Sequence, residues 1–437
     1  MNGDMYGCKK MTAAEAAALV QSGDRVYVGT ATSFASEITE ALRQRKGELT
    51  DVTILSALGI KPADLYRERN ADGTSPFRVK SYFLGPMERA AVKNAIPSDY
   101  TSFHLSQMDI WVEEAARPDI CFLEVSKPDA NGYCSYGPAG GCLHEQVRAY
   151  AKTTVLEINQ RTPYINGQAG LVHLSMADGY VETDTPVASI PSDEPDETAR
   201  QISSIIMDYV PDGATVQLGL GGLSTAVGYG LQSKNELGIH SEILSEPLVR
   251  LVQNGNVTNR NKGLLDGLSA FGIAIGNPDT YAYLDRNPKF YSAPFSWLND
   301  PRVIAQNRNF ISVNTAMSMN LFGEAASEGM AYRQQSGVGG QLDYVRGAQW
   351  SPGGKSFIAM ASSFVKNGER KSKIVLNFPD GTAVTTPRSD VQYVATEYGC
   401  VNLKHLNMSD RVRAMISLAH PDFRDELTDQ AKEHGML

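Results

Sequence analysis

One order of elements is written twice along this chain, and it fixes the fold class before any single residue is weighed. In the first half, helical spacing over 13–20 ends at the turn residues Ser22-Gly23-Asp24. A short apolar strand over 26–28 follows, and Gly29 opens a loop of small residues from Thr30 to Ser33. Helical spacing returns over 34–43, with Ile38, Ala41 and Leu42 on one face, and 52–55 is the next strand. The second half repeats the order: helix over 199–210, turn at Pro211-Asp212-Gly213, strand over 215–218, loop from Gly219 to Gly222, helix over 224–231, strand over 239–243. Strands alternating with helices at this spacing predict βαβ units and a largely parallel sheet. Written twice, they predict an α/β protein of two similar open α/β domains, with the active site in the cleft between them. The proline-rich and acidic stretch 182–197 is the expected linker, giving an N-terminal domain over 1–194 and a C-terminal domain over 195–437. Further strands are expected at 120–125, 154–158, 310–313 and 355–361. Terminal helices are expected at 408–420 and 422–432, with Asp410 and Asp422 as caps.

The two copies differ where chemistry would differ. The second loop has three glycines, Gly219, Gly221 and Gly222, and the strand after it carries Glu242; the first has Gly29 alone, with Leu55 at the matching place. Gly219-x-Gly221-x-x-Ser224 nearly fits the dinucleotide fingerprint, because an acidic residue follows at about the ~20-position distance that a ribose-binding carboxylate requires. Three readings stay open on these residues: a dinucleotide site, a plain structural turn, or backbone N–H groups that cradle part of another anionic ligand. Glu242 is flanked by Ile239, Ile243 and Leu244, so it is expected to be half-buried, and a half-buried acid needs a partner or a task. His240 reads as a core histidine. Ser336-Gly337-Val338-Gly339-Gly340-Gln341 is a second glycine turn, too glycine-dense for the interior of a helix or strand. Gly354-Lys355-Ser356 ends like a phosphate-binding loop, but Gln349 stands where that motif requires glycine.

Composition narrows the classes. Lys and Arg number 40 against 49 Asp and Glu, a net charge of -9 with no long basic run, which argues against nucleic acid or an anionic membrane as partner. The five cysteines are scattered and form no CxxC pair, no Cys/His cluster has metal spacing, and no HExxH occurs. Free thiols in a reducing, cytoplasmic compartment are expected, with no metal site. No Gly-x-Ser-x-Gly elbow and no Cys beside a His is present, so a carboxylate is the leading nucleophile candidate.

Several of these stretches together resemble the class I CoA-transferases, in the branch of 4-hydroxybutyrate and butyryl-CoA:acetate CoA-transferases related to acetyl-CoA hydrolase/transferases. The resemblance rests on Gln217-Leu218-Gly219-Leu220-Gly221-Gly222, on His240-Ser241-Glu242, on Ser336 to Tyr344 and on Gly353-Gly354-Lys355-Ser356. Gly85-Pro86-Met87-Glu88-Arg89, Pro128-Asp129-Ala130-Asn131-Gly132-Tyr133 and Ala419-His420-Pro421-Asp422-Phe423-Arg424 extend it over nearly the whole chain. It implies a ping-pong transfer of CoA between short-chain carboxylic acids, butyryl-CoA and acetate first and 4-hydroxybutyrate next, through a glutamyl-CoA thioester on Glu242. A carboxylate, ionised at neutral pH in its ordinary state, would need no base. Gly219, Leu220, Gly221, Gly222 and Leu223 match the CoA-contacting loop, Gly339 and Gly340 the second loop on the CoA side, and Met317 a further contact. CoA would be a substrate and not a resident cofactor, and the protein is expected to form a homo-oligomer. Ser241 and Ile243 stand where many relatives carry Thr and Met, and Ser318 and Asn320 replace acidic positions, so the resemblance constrains the mechanism more tightly than the acids. The competing readings are a thioester hydrolase on the same scaffold, a nicotinamide-dependent dehydrogenase built on Gly219 and Glu242, and a binding module without activity.

Overall fold

The computed structural model describes residues 5–168 and 170–437. Contacts divide the polypeptide into two compact units. The first comprises the chain up to Pro191 together with Ala270–Leu298; the second comprises Ser192–Ser269 and Asn299–Leu437. The sequence reading crosses between domains once, at 194/195. The return of Ala270–Leu298 to the first unit has no signature in the linear pattern.

The first unit is built on a nine-stranded sheet. At its centre Arg25–Thr30 runs parallel to Val52–Ala57 on one side and to Ile120–Val125 on the other, and Thr153–Asn159 lies beyond Ile120–Val125. In the second unit Thr215–Leu218 runs parallel to Gly238–Ser245 on one side and to Phe310–Thr315 on the other, with Lys355–Ala359 beyond. The two central arrangements are the same, strand for strand, and all their pairings are parallel. The doubled pattern of the sequence is thus a doubled topology. The inner strands are apolar and sealed, Ile120–Val125 along its whole length, as a parallel sheet covered on both faces requires.

Helices cover these sheets through apolar faces that the sequence spacing already shows. Ser36–Gln44 buries Ile38, Thr39 and Leu42, and Glu197–Met207 buries Ala199, Ile202 and Ile206. The first core gathers Val26, Val28, Ile54, Val79, Phe122 and Val155; the second gathers Met319, Leu342, Val345, Ile358, Val394 and Met415. A small satellite of Ile304, Phe310, Tyr344 and Ala348 belongs to the second unit. Among the described residues no helix is long and apolar enough to cross a membrane.

Two local expectations are corrected. Leu55 pairs with Tyr27, two residues short of Gly29, and a register shift after Tyr27 brings Ala57 opposite Thr30. The position level with the first loop is therefore Ala57 and not Leu55. The terminal helices are capped three and two residues ahead of the acids: Asn407 accepts the Asp410 N–H at 2.9 Å, and the His420 ring accepts the Asp422 N–H at 3.3 Å. Asp410 and Asp422 stand in the first turns, where negative charge still favours the helix dipole.

Candidate active site

The strand Gly238–Ser245 is buried from Gly238 to Ser241 and becomes accessible at Glu242. Its start is fixed from two sides. Asn259 Oδ1 accepts the Ile239 N–H at 2.9 Å, and the buried Lys262 Nζ donates to the carbonyls of Ile239 and Leu268 at 2.8 and 2.7 Å. Burial draws the Lys262 ammonium down to about 7. Farther along, Ser241 Oγ accepts from the Leu218 N–H at 3.4 Å and donates to the Ile243 carbonyl at 2.7 Å, tying this strand to the one that leads into the glycine loop. His240 is fully buried, edge-on to Phe310 and Tyr344, which is a core position.

Two donors meet the Glu242 carboxylate. Asn299 Nδ2 donates to Oε2 at 2.9 Å, and the Gly340 backbone N–H donates to the carboxylate. Glycine is required at 340 by closeness: a Cβ there would overlap both Glu242 Oε2 and Asn299 Nδ2. Gly340 is also the N-cap of the helix Gln341–Trp350, so its N–H is one of the helix-start donors that anions satisfy. Burial is the main influence on Glu242 and pushes it up to about 7, while the Asn299 and Gly340 bonds hold it back. At neutral pH the carboxyl is therefore about half ionised, which corrects the expectation of a fully ionised acid. Its basicity, and with it its nucleophilic strength, is raised at the same time.

The glycine loop stands beside a cavity of about 470 Å3 in the second unit. Leu220, Gly221, Gly222, Leu223 and Met317 all line it, joined by Thr315, Met360 and Lys373. Gly221 has φ +100°, which a residue with a side chain rarely adopts, and this turn starts the helix Gly222–Gly230 with its N–H groups free of helical partners. Nothing lies within 4 Å of where a Cβ would stand at Gly221 or Gly222. Gly219 does not line the cavity; its Cβ position lies 3.5 Å from Ser224 Oγ. Gly339, with φ +62°, delivers Gly340 to the carboxylate. Seven of the eight contact residues expected from sequence thus fall into two groups, five on the cavity and Gly339 and Gly340 at Glu242, while Gly219 stands apart at the root of the loop. A cavity of about 530 Å3 in the first unit, bordered by Lys127, Arg161 and Arg286, holds none of them.

Sequence reasoning missed Asn299 and Tyr344. Asn299 is fully buried and sits far along the chain from Glu242 in a stretch with no motif; only the fold brings it there. Tyr344 closes the quoted glycine motif, and its phenol lies 3.5 Å from Asn299 Oδ1.

Both halves of the chain match a known family. The acetyl-CoA hydrolase/transferase N-terminal domain matches residues 3–199 and the corresponding C-terminal domain matches 276–431. The 4-hydroxybutyrate coenzyme A transferase of Clostridium kluyveri is 32% identical over 98% of this chain and 99% of its own. The butyryl-CoA:acetate CoA-transferase of Anaerostipes caccae is 32% identical over 98% of this chain and 97% of its own. Among solved structures, RipA from Yersinia pestis superimposes with a TM-score of 0.90 at 35% identity, covering 98% of each chain.

Proposed function

The chain belongs to the acetyl-CoA hydrolase/transferase family, and we propose that it is an acyl-CoA:carboxylate CoA-transferase with Glu242 as its nucleophile. The observation that carries this reading is the carboxylate itself: half-buried within an otherwise sealed stretch of strand, raised to about 7, and met by Asn299 Nδ2 and the Gly340 N–H.

Glu242 attacks the thioester carbonyl of acyl-CoA. The C–S bond breaks, CoA leaves as thiolate, and an acyl-glutamyl anhydride remains. The thiolate then attacks the glutamyl carbonyl and expels the first acid as its carboxylate, leaving a glutamyl-CoA thioester. An incoming carboxylate runs the two steps backwards and departs as the new acyl-CoA. No proton has to be moved in either step once Glu242 is ionised.

Asn299 and Gly340 serve the second step most directly. When the thiolate adds to the glutamyl carbon, charge builds on a glutamyl oxygen, and donors already placed on Oε2 stabilise it without reorganisation. Such donors contribute about 3–4 kcal/mol each. The cavity beside Gly221, Gly222 and Met317 takes CoA, and contacts remote from the thioester supply binding energy to the costly anhydride step. The arrangement leaves the dinucleotide reading without a task for Glu242: a ribose-binding acid accepts from the ligand's hydroxyls, whereas here the protein's own donors already occupy it.

Butyryl-CoA with acetate is the leading substrate pair and 4-hydroxybutyrate the next, after the relatives that bear those names. The test is chemical trapping. The protein is incubated with butyryl-CoA, reduced with borohydride, and digested for mass spectrometry; modification is expected on Glu242 and only with acyl-CoA present. Full transfer activity with an unmodified Glu242 would overturn the reading. Release of free acid without any acceptor measures how far water replaces the second carboxylate.

A further inference from the structure

We propose that Tyr344 is a positioning residue of this site: its hydroxyl links the Glu242 backbone to the Asn299 side chain and fixes which end of that amide faces the carboxylate. This inference rests on Glu242 being the nucleophile.

A phenol has one proton to give and lone pairs to accept with, so two bonds of opposite sense use it fully. Tyr344 makes both. Its oxygen accepts the Glu242 backbone N–H, and it donates to Asn299 Oδ1 at 3.5 Å. The amide of Asn299 then has its oxygen engaged and its nitrogen aimed at Glu242 Oε2, 2.9 Å away. Those two ends are nearly the same in shape and opposite in chemistry. A reversed Asn299 would set Oδ1 against a carboxylate oxygen, acceptor against acceptor, and would remove the donor from the atom that becomes charged. The phenol sets the same preference from the far side of the amide, and holds it also when the carboxyl is protonated and could itself donate to Oδ1.

The tyrosine is built to hold still. It is fully buried, its ring is stacked on Phe310 with centroids 6.0 Å apart at 24°, and His240 meets it edge-on at 6.4 Å. Its backbone N–H donates to the Gly340 carbonyl at 2.9 Å, so one helical turn carries both the Gly340 donor and the phenol. Burial keeps the phenol protonated well above its ordinary range, with Glu242 and Asp343 adding to the same effect, so it stays a donor wherever the protein is folded.

The test is a double-mutant cycle on transfer kinetics with Tyr344→Phe and Asn299→Ala, which keeps the ring packing while removing the hydroxyl. With wild-type Asn299, Tyr344→Phe is expected to lower kcat about 10-fold and leave KM for acyl-CoA unchanged. It is also expected to move the acid limb of the pH profile upward, because Glu242 loses its best-aimed donor; His240 and Asp343 are the other titratable groups beside the phenol. In the Asn299→Ala background the same change is expected to cost under about 2-fold, since there is no amide left to orient. Equal losses in both backgrounds, or an unchanged kcat in the first, would overturn the proposal and leave the tyrosine a packing residue. If Tyr344→Phe does not accumulate as folded protein, 3,5-difluorotyrosine at 344 replaces it: a stronger donor on Oδ1 is expected to move the acid limb downward, and an unmoved limb counts against the proposal. Borohydride trapping on the wild type keeps the two failures apart. No adduct at Glu242 sinks the nucleophile reading and this one with it; an adduct without coupling in the cycle sinks this one alone.

Discussion

Glu157 in the first unit and Glu242 in the second are held by the same physics. Glu157 accepts the backbone N–H groups of Glu37 and Ile38, at 3.3 and 3.0 Å, from the start of the helix Ser36–Gln44. Glu242 accepts Gly340 N–H from the start of the helix Gln341–Trp350. Burial raises both, Glu157 to about 8 and Glu242 to about 7. The surroundings differ. Glu157 is sealed, with a second buried glutamate, Glu124, raising it further, whereas Glu242 is open to solvent on one side. The loops differ in the same sense. Gly29 folds back on its own hairpin, where Gly29 pairs with Phe34, and a Cβ would strike the Ser33 carbonyl. Gly221 and Gly222 face open space along a cavity. The two acids are not equivalent positions of the doubled scaffold: Glu157 stands on Thr153–Asn159, which matches Lys355–Ala359, and Glu242 on Gly238–Ser245, which matches Val52–Ala57. Burial raises both, and under the proposed function access is what lets Glu242 react.

The sharpest way to break this contrast is Glu242→Ala. Transfer is expected to fall on the order of 10^5-fold, as for other lost nucleophiles, with the circular dichroism spectrum and melting temperature retained; an active variant would end the comparison. Next comes Asn299→Ala, expected to lower kcat by about 10^2–10^3-fold as one oxyanion donor is lost. Its acid limb is expected above the wild-type value, which itself should lie near 7 because only ionised Glu242 attacks. A pH–rate profile of kcat/KM measures both.

A smaller effect separates the loops. Gly29→Ala should lower the melting temperature by several degrees through the collision with Ser33, whereas Gly222→Ala should leave it unchanged and raise KM for acyl-CoA about 3–10-fold. Reversed outcomes would mean that the first loop binds and the second braces.

A further prediction concerns how stability depends on pH, through Glu157. Its folded pKa is raised, so the stability linked to it is fully present below the unfolded value near 4.5 and is lost as pH rises to about 8. Glu157→Gln is expected to flatten the melting temperature across that window, by on the order of a few kcal/mol of stability between its ends. An unaltered slope would show that Glu157 is already relieved by some other group.

Much of this was legible in the residues, for reasons of periodicity. Thr215–Leu218 and Ile120–Val125 are short apolar runs bounded by turns, and they are strands with those same limits. Glu242 stands out because it is a charge in an apolar strand next to glycines. What could not be read depends on distance along the chain or on register. Asn299 follows no motif and reaches Glu242 only through the fold. Ala57 replaces Leu55 as the counterpart of the loop because Leu55 pairs with Tyr27, ahead of the loop, and pairing register cannot be read from run lengths alone. The caps slipped by two or three residues because an acid in a first turn and a capping residue look alike in a sequence. The upward push on the Glu242 carboxyl comes from burial by neighbours that no local window contains.

Gly340 and Tyr344 share one turn of the helix Gln341–Trp350, and that places a rule on which length changes this protein can accept. Residues added at the turn of the hairpin Gly329–Gln334 lengthen a two-stranded ribbon that closes before the glycine turn begins at Ser336. One residue added between Gly340 and Tyr344 rotates the phenol by about 100° around the helix axis, away from Asn299. Drift in chain length is thus forbidden from Gly339, whose turn delivers Gly340, through Tyr344.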